Sequence, residues 1–202
     1  MKHLLFCLLF LGLFFCQKVE GQQYFEGYIH YTYEYFTLEG EDISNQKQEF
    51  LPKEQHYYIK EGNYVAFDHD GELMQLYNQG GNAYYYQRGE ILYKMDAGSW
   101  LQGEEKYTEG KEKLKVLKYR CKSVEKEGSV TFYSKKVRVD PASFESHTFG
   151  NWARYLDFTN GALALKIVNT HGDYYQVITA SKVVPMKLDD EKFDLDKILG
   201  AK

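Results

Sequence analysis

Cysteine is nearly absent from this chain, with 3 in 202 residues. Cys7 and Cys16 lie in an N-terminal segment that reads as removable, which leaves Cys121. One cysteine closes no internal bridge, so the core must hold the fold without covalent staples. Beside Leu117, Tyr119 and Val124, Cys121 reads as a buried small hydrophobe rather than a reactive thiol or an intermolecular bridge. Long apolar runs are missing too. Leu4–Cys16 carries no charge, but a membrane-spanning helix needs about 20 apolar residues. Lys2 ahead of it and Val19-Glu20-Gly21 behind it make residues 1–21 read as a secretory signal peptide, cut before Gln22. The rival is lipoprotein processing at Cys16, against which Phe15 stands where a small residue belongs.

Concentrated positive charge is also lacking. Without Lys2, Lys18 and Glu20, 23 basic side chains face 28 acidic ones, a net of −5. Such a balance attracts neither nucleic acid nor an anionic membrane. The remaining segment, 22–202, is long enough for one domain burying roughly 70% of its unfolded surface.

Catalytic and metal motifs are equally scarce. No serine sits in a Gly-x-Ser-x-Gly elbow, and Asp189-Asp190 belong to a charged tail. His30, His56, His69, His147 and His171 show no zinc-binding spacing with one another or with cysteine, and read as surface histidines. Asp68-x-Asp70-Gly71-Glu72 resembles the start of a calcium loop but lacks the downstream ligands, and a hairpin turn uses the same residues. No cofactor and no metal is expected. A carboxylate pair from separate strands could still meet in space, which keeps a hydrolase as a third reading.

What the chain does have is tyrosine, 19 of them, and strand periodicity. Phe25, Ile29, Tyr31, Tyr33 and Tyr35 fall on one face, and Glu26, His30, Thr32 and Glu34 on the other. From Gln55 to Met95 short strands recur between Glu61-Gly62-Asn63, Asp70-Gly71, Gly80-Gly81-Asn82 and Arg88-Gly89, the punctuation of an antiparallel meander. Gly98–Lys113 reads as a solvated connection. Leu114–Glu125 and Ser129–Val139 form the next expected hairpin. Asp140-Pro141 resembles a helix start, and Phe149, Trp152, Ala153 and Leu156 keep the spacing of one helix face, interrupted by Gly150. Ala162–Val168 and Tyr174–Lys187 form a last hairpin, followed by a tail with a short helix or docking strand.

Several strands are apolar on both faces, as at Val130–Tyr133 and Ala162–Ile167. Either a helix and loops cover the second face, or the sheet curls around a cavity. The expected fold is mainly β: a strongly curved antiparallel half-barrel with one or two short helices over its concave face. Tyrosines suit half-buried pleated surfaces for structural reasons alone. The functional reading places Tyr31, Tyr33, Tyr57, Tyr84 and Tyr86 along a groove for an acyl chain or a sugar ring.

Phe25-Glu26-Gly27-Tyr28-Ile29, Tyr119-Arg120-Cys121-Lys122 and Thr131-Phe132-Tyr133 follow one another in an order that resembles the exported bacterial DUF4412 family. Phe149–Tyr155, Gly161, Leu163-x-Leu165 and Phe193 continue it, while Leu117-Lys118 departs from an expected "I-x-G". The resemblance implies a LolA/LolB-like architecture, an envelope location and a lipidic ligand; it carries over no catalytic residue. The expected protein is exported, periplasmic or secreted, and non-enzymatic. Its expected partners are a lipid or apolar small molecule and the outer envelope, with no nucleic acid. The alternative is a glycan- or protein-interaction module using exposed tyrosines.

Overall fold

The computed structural model describes residues 24–99 and 106–200. The expected signal peptide, its cleavage at Gln22, Cys7 and Cys16 lie outside them, as does part of the connection expected at 98–113. Eleven strands form one antiparallel sheet in the order β6-β5-β4-β3-β2-β1-β11-β10-β9-β8-β7. The first meander runs β1 (Gly27–Thr37), β2 (Glu54–Lys60), β3 (Asn63–Phe67), β4 (Leu73–Asn78), β5 (Ala83–Arg88) and β6 (Ile91–Asp96). The second runs β7 (Thr108–Val116), β8 (Tyr119–Lys126), β9 (Ser129–Arg138), β10 (Ala162–His171) and β11 (Tyr174–Pro185). Among the described strands, β1–β11 is the one ladder linking the two meanders, pairing Gly27 with Pro185 at one end and Thr37 with Tyr174 at the other. A one-turn helix α1 (Ser44–Lys47) follows β1; α2 (Trp152–Thr159) and α3 (Leu195–Gly200) come later.

The sheet is open, and this corrects the half-barrel expectation. Among the described residues it ends at two unpaired edges, β6 and β7, each exposed along most of its length. Glu109, Lys111, Glu112, Lys113 and Lys115 crowd β7, the charge that discourages pairing with another chain. Apolar residues on both faces arise from cover rather than curling. On one face the turn Pro141–Phe144 and α2 pack over the main core, built largely from tyrosine together with Ile29, Phe144, Leu156, Leu163 and Leu165. On the other, Leu188 and Phe193 close a smaller core over Val65, Leu73 and Leu76. That second cover is the charged tail. It is moored where Glu26 accepts from the Leu188 amide at 2.6 Å and Lys60 pairs with Asp190 at 2.7 Å.

Two boundaries differ from expectation for local reasons. The strand expected over Leu114–Glu125 is two strands, because Leu117 adopts positive φ (51°) and turns the chain without a glycine. The helix expected through Phe149–Leu156 begins only at Trp152, since Gly150 (φ 65°) and Asn151 (φ 58°) are left-handed. At β10 the ladder to β9 shifts register around Ala162, Ala164 and Lys166. Such irregularities break strict alternation, and Ala162–Leu165 are all buried in succession. Cys121 is buried, and that burial pushes its thiol pKa up. No described helix is long and apolar enough to cross a membrane.

Candidate functional site

Between the core face of the sheet and α2 lies a cavity of about 230 Å³. β1 and β2 supply Tyr31, Gln55 and Tyr57; β3, β4 and β5 supply Tyr64, Gln75 and Tyr84; β10 and β11 supply Leu163, Ala164, Ile167 and Ile178. His147, Phe149, Gly150 and Trp152 complete it from the helical side. The left-handed break at Gly150 and Asn151 separates Phe149 from the helix that carries Trp152. Among the described residues, no Asp, Glu, Lys or Arg lines this cavity, nor any serine, threonine or cysteine. Wider clefts elsewhere are bordered by charge, as at Lys94, Asp190 and Asp194.

The buried tyrosines pose a hydrogen-bond accounting problem, because a buried hydroxyl without a partner costs about 1–3 kcal/mol. Most are satisfied. Tyr31 donates to the Ala164 carbonyl at 2.7 Å, Tyr35 to the Pro52 carbonyl at 2.8 Å, and Tyr84 to Gln75 Oε1 at 3.0 Å. Tyr64 Oη meets His147 Nε2 at 2.7 Å. Three cavity-lining side chains depart from this rule: Tyr57 Oη, His147 Nδ1 and Trp152 Nε1 are buried with no partner. Indole N–H is donor only, whereas the phenol can donate or accept. Burial holds the Tyr57 hydroxyl well above the usual phenol range and raises Tyr84 to about 12. It pushes His147 down to about 4. All of these groups are therefore neutral at pH 7.

Of the tyrosines singled out in the sequence, Tyr31, Tyr57 and Tyr84 come together on the cavity wall. Tyr33 is buried beside it and donates to Gln55 Oε1 at 3.2 Å. Tyr86 lies outside, between Tyr84 at 6.0 Å and Tyr93 at 5.0 Å. Sequence reasoning missed Tyr64, His147 and Trp152. His147 is 1% exposed, not a surface histidine, and its ring lies tilted against Tyr77 with centroids 4.2 Å apart. The aromatic spacing around Phe149 and Trp152 was the available signal, since it predicts which face of this segment points to the sheet.

Asp68 and Asp70 form a turn. Asp68 Oδ1 accepts from the amides of Asp70 and Glu72, both at 2.9 Å, and Gly71 (φ 81°) completes the reversal. Among the described residues, the other group able to hold a cation is His30, Glu54 and His56, on the opposite face of the sheet from the cavity.

No family model matches this chain, and no curated protein does. Among solved structures, two crystal forms of PNGF-II overlay with a TM-score of 0.47 at 15% identity. They cover 83% and 82% of this chain, which spans only 29% and 30% of theirs. A LolA-superfamily protein from Nitrosomonas europaea overlays with a TM-score of 0.36 at 8% identity, covering 85% of this chain and 90% of that one. The motif order that resembled DUF4412 therefore finds no support, and the LolA/LolB-like architecture fails with it. The motifs were short strand and turn patterns that many antiparallel sheets share, and the observed sheet is open at both edges.

Proposed function

We propose that this chain is an exported, non-enzymatic binding protein that holds one small, neutral, mainly apolar molecule in the cavity under α2. The observation that carries the reading is the set of unpartnered polar atoms on Tyr57, His147 and Trp152, in a wall where the described residues bring no charge. A charged ligand would lose its hydration with nothing to replace it. A pure hydrocarbon would leave the indole N–H and the other two atoms unpaired. A neutral molecule with an acceptor oxygen and an apolar body suits both demands. Size narrows it further. A volume of about 230 Å³ is enough for a single ring or a short acyl chain. Export is supported by the character of residues 1–21.

The test is displacement of a neutral fluorescent probe, N-phenyl-1-naphthylamine, from the purified protein. Medium-chain alcohols and ring ketones are expected to displace it, while the matching carboxylates and free monosaccharides do not. Ile178→Trp puts an indole into the cavity from β11 and is expected to weaken probe binding at least about tenfold, or 1.4 kcal/mol. Saturable binding that this variant leaves unchanged would remove the cavity as the site. Displacement by monosaccharides alone would favour the glycan-binding alternative.

A further inference from the structure

The face of the sheet turned away from the cavity assembles side chains that are scattered in the sequence. In the β1–β2 register His30 stands opposite His56, and Thr32 opposite Glu54. Glu54 and His56 are two apart on one strand and so share a face. Glu54 Oε2 lies 2.9 Å from His30 Nε2 and 3.9 Å from His56 Nε2, and the two imidazole centroids are 4.8 Å apart.

We propose that His30, Glu54 and His56 form a binding site for a divalent transition-metal ion of the zinc type. Two nitrogen or oxygen atoms each about 2.1 Å from one such ion lie roughly 3.0–3.4 Å apart at octahedral or tetrahedral angles. The separations of 2.9 and 3.9 Å from the Glu54 oxygen bracket that range, and all three ligand atoms lie within 4.8 Å of one another. The far nitrogen of each imidazole is also held. His30 Nδ1 bonds Ser181 Oγ from β11, and His56 Nδ1 bonds Tyr28 Oη at 2.8 Å. Fixing the far nitrogen turns the near one toward the shared carboxylate, which is how outer-shell partners orient metal ligands. An ion pair of His30 with Glu54 explains one contact; it does not explain a second imidazole braced toward the same oxygen.

The surroundings tolerate a cation. Lys182 pairs with His30 across the β1–β11 ladder and opposes it, while Asp68, at the β3–β4 turn, is within electrostatic reach of His56 and offsets that charge. The His30 side chain is 13% exposed, His56 33% and Glu54 43%. An ion can therefore enter from solvent, and three protein ligands leave a position for water or a further ligand. Imidazole with carboxylate suits zinc, iron, nickel or copper better than calcium or magnesium.

The test uses the full chain without a histidine tag, stripped with chelator. Zn²⁺ is titrated by calorimetry and Co²⁺ by visible absorption. One ion per chain is expected, with cobalt bands that zinc abolishes. His56→Ala and Glu54→Gln are each expected to weaken binding by tenfold or more. Tyr28→Phe keeps the ring, removes the brace and should weaken it about tenfold; His171→Ala, at the β10–β11 turn, should leave it unchanged. Circular dichroism identifies variants that fold, and the half-exposed Glu54 and His56 keep the experiment decisive if His30→Ala does not. No saturable binding at millimolar metal, or equal affinity in folded His56→Ala and Glu54→Gln, would overturn the site. The probe-binding result has no bearing on it.

Discussion

Replacing Gly161 with alanine is expected to destabilise the protein by about 3 kcal/mol or more, a fall in Tm of roughly 10 °C for a chain this size. Gly161 has φ 79°, and a Cβ there would sit 2.1 Å from the Val139 carbonyl oxygen and 3.2 Å from Pro141. The obstacle is backbone, so it cannot swing aside. The same residue donates to the Leu156 carbonyl and accepts from the Val139 amide at 2.9 Å. It thereby ends α2 and feeds the chain into β10, whose Leu163 and Ala164 line the cavity. Gly150→Ala is the matched control. Its φ is 65°, yet nothing lies within 4 Å of the added carbon, so only the left-handed penalty of about 1–2 kcal/mol is expected. Thermal melts of the two variants separate close approach from conformational preference. Equal losses would show that the contact with Val139 relaxes.

Acid should weaken the protein through His147. Its pKa is lowered from the ordinary 6.5 to about 4 by burial, so the unfolded chain takes up a proton that the folded chain refuses. The group contributes its full stabilisation above pH 6.5 and loses it progressively as pH falls toward 4. At about 1.4 kcal/mol per pKa unit, the loss between pH 7.5 and pH 4.5 is roughly 2–3 kcal/mol. His147→Gln keeps a polar partner for Tyr64 and removes the titration. The variant is expected to start less stable at pH 7.5 but to lose about 5–10 °C less of its Tm than the parent on acidification. Parallel curves for the two proteins would mean that the imidazole already titrates normally in the folded state.

Much of the architecture was legible in the sequence. Alternation in Phe25–Tyr35 and the glycine turns between Gln55 and Met95 located six strands, because period-two patterning and positive-φ residues are local properties. The turn at Leu117 was not legible, since leucine gives no sign of accepting a left-handed backbone. Nor was the cover over the second face. Leu188 and Phe193 are isolated apolar residues in a charged tail, and their packing over Val65 and Leu76 is a tertiary event. Apolarity on both sides therefore reflects cover on each face and not curling. The candidate cavity was half legible: tyrosine enrichment singled out Tyr31, Tyr57 and Tyr84, but their helical partners come from a segment some 60 residues beyond Tyr84. Spacing along the chain shows no pairing of the histidines, because His30 and His56 meet through strand register. Glu54-x-His56 on a single strand was the available clue.

Among the described strands a single ladder, β1 with β11, links the two meanders, and it also dictates an order of assembly. During synthesis β1 is a bare margin of the first meander, and it becomes the middle of the finished sheet only when the eleventh strand arrives. Closing that seam spans nearly the whole polypeptide, the kind of distant pairing that slows folding. Until it closes, the nascent molecule offers a strand edge flanked by unshielded tyrosines, the kind of surface that chaperones retain and that aggregation exploits.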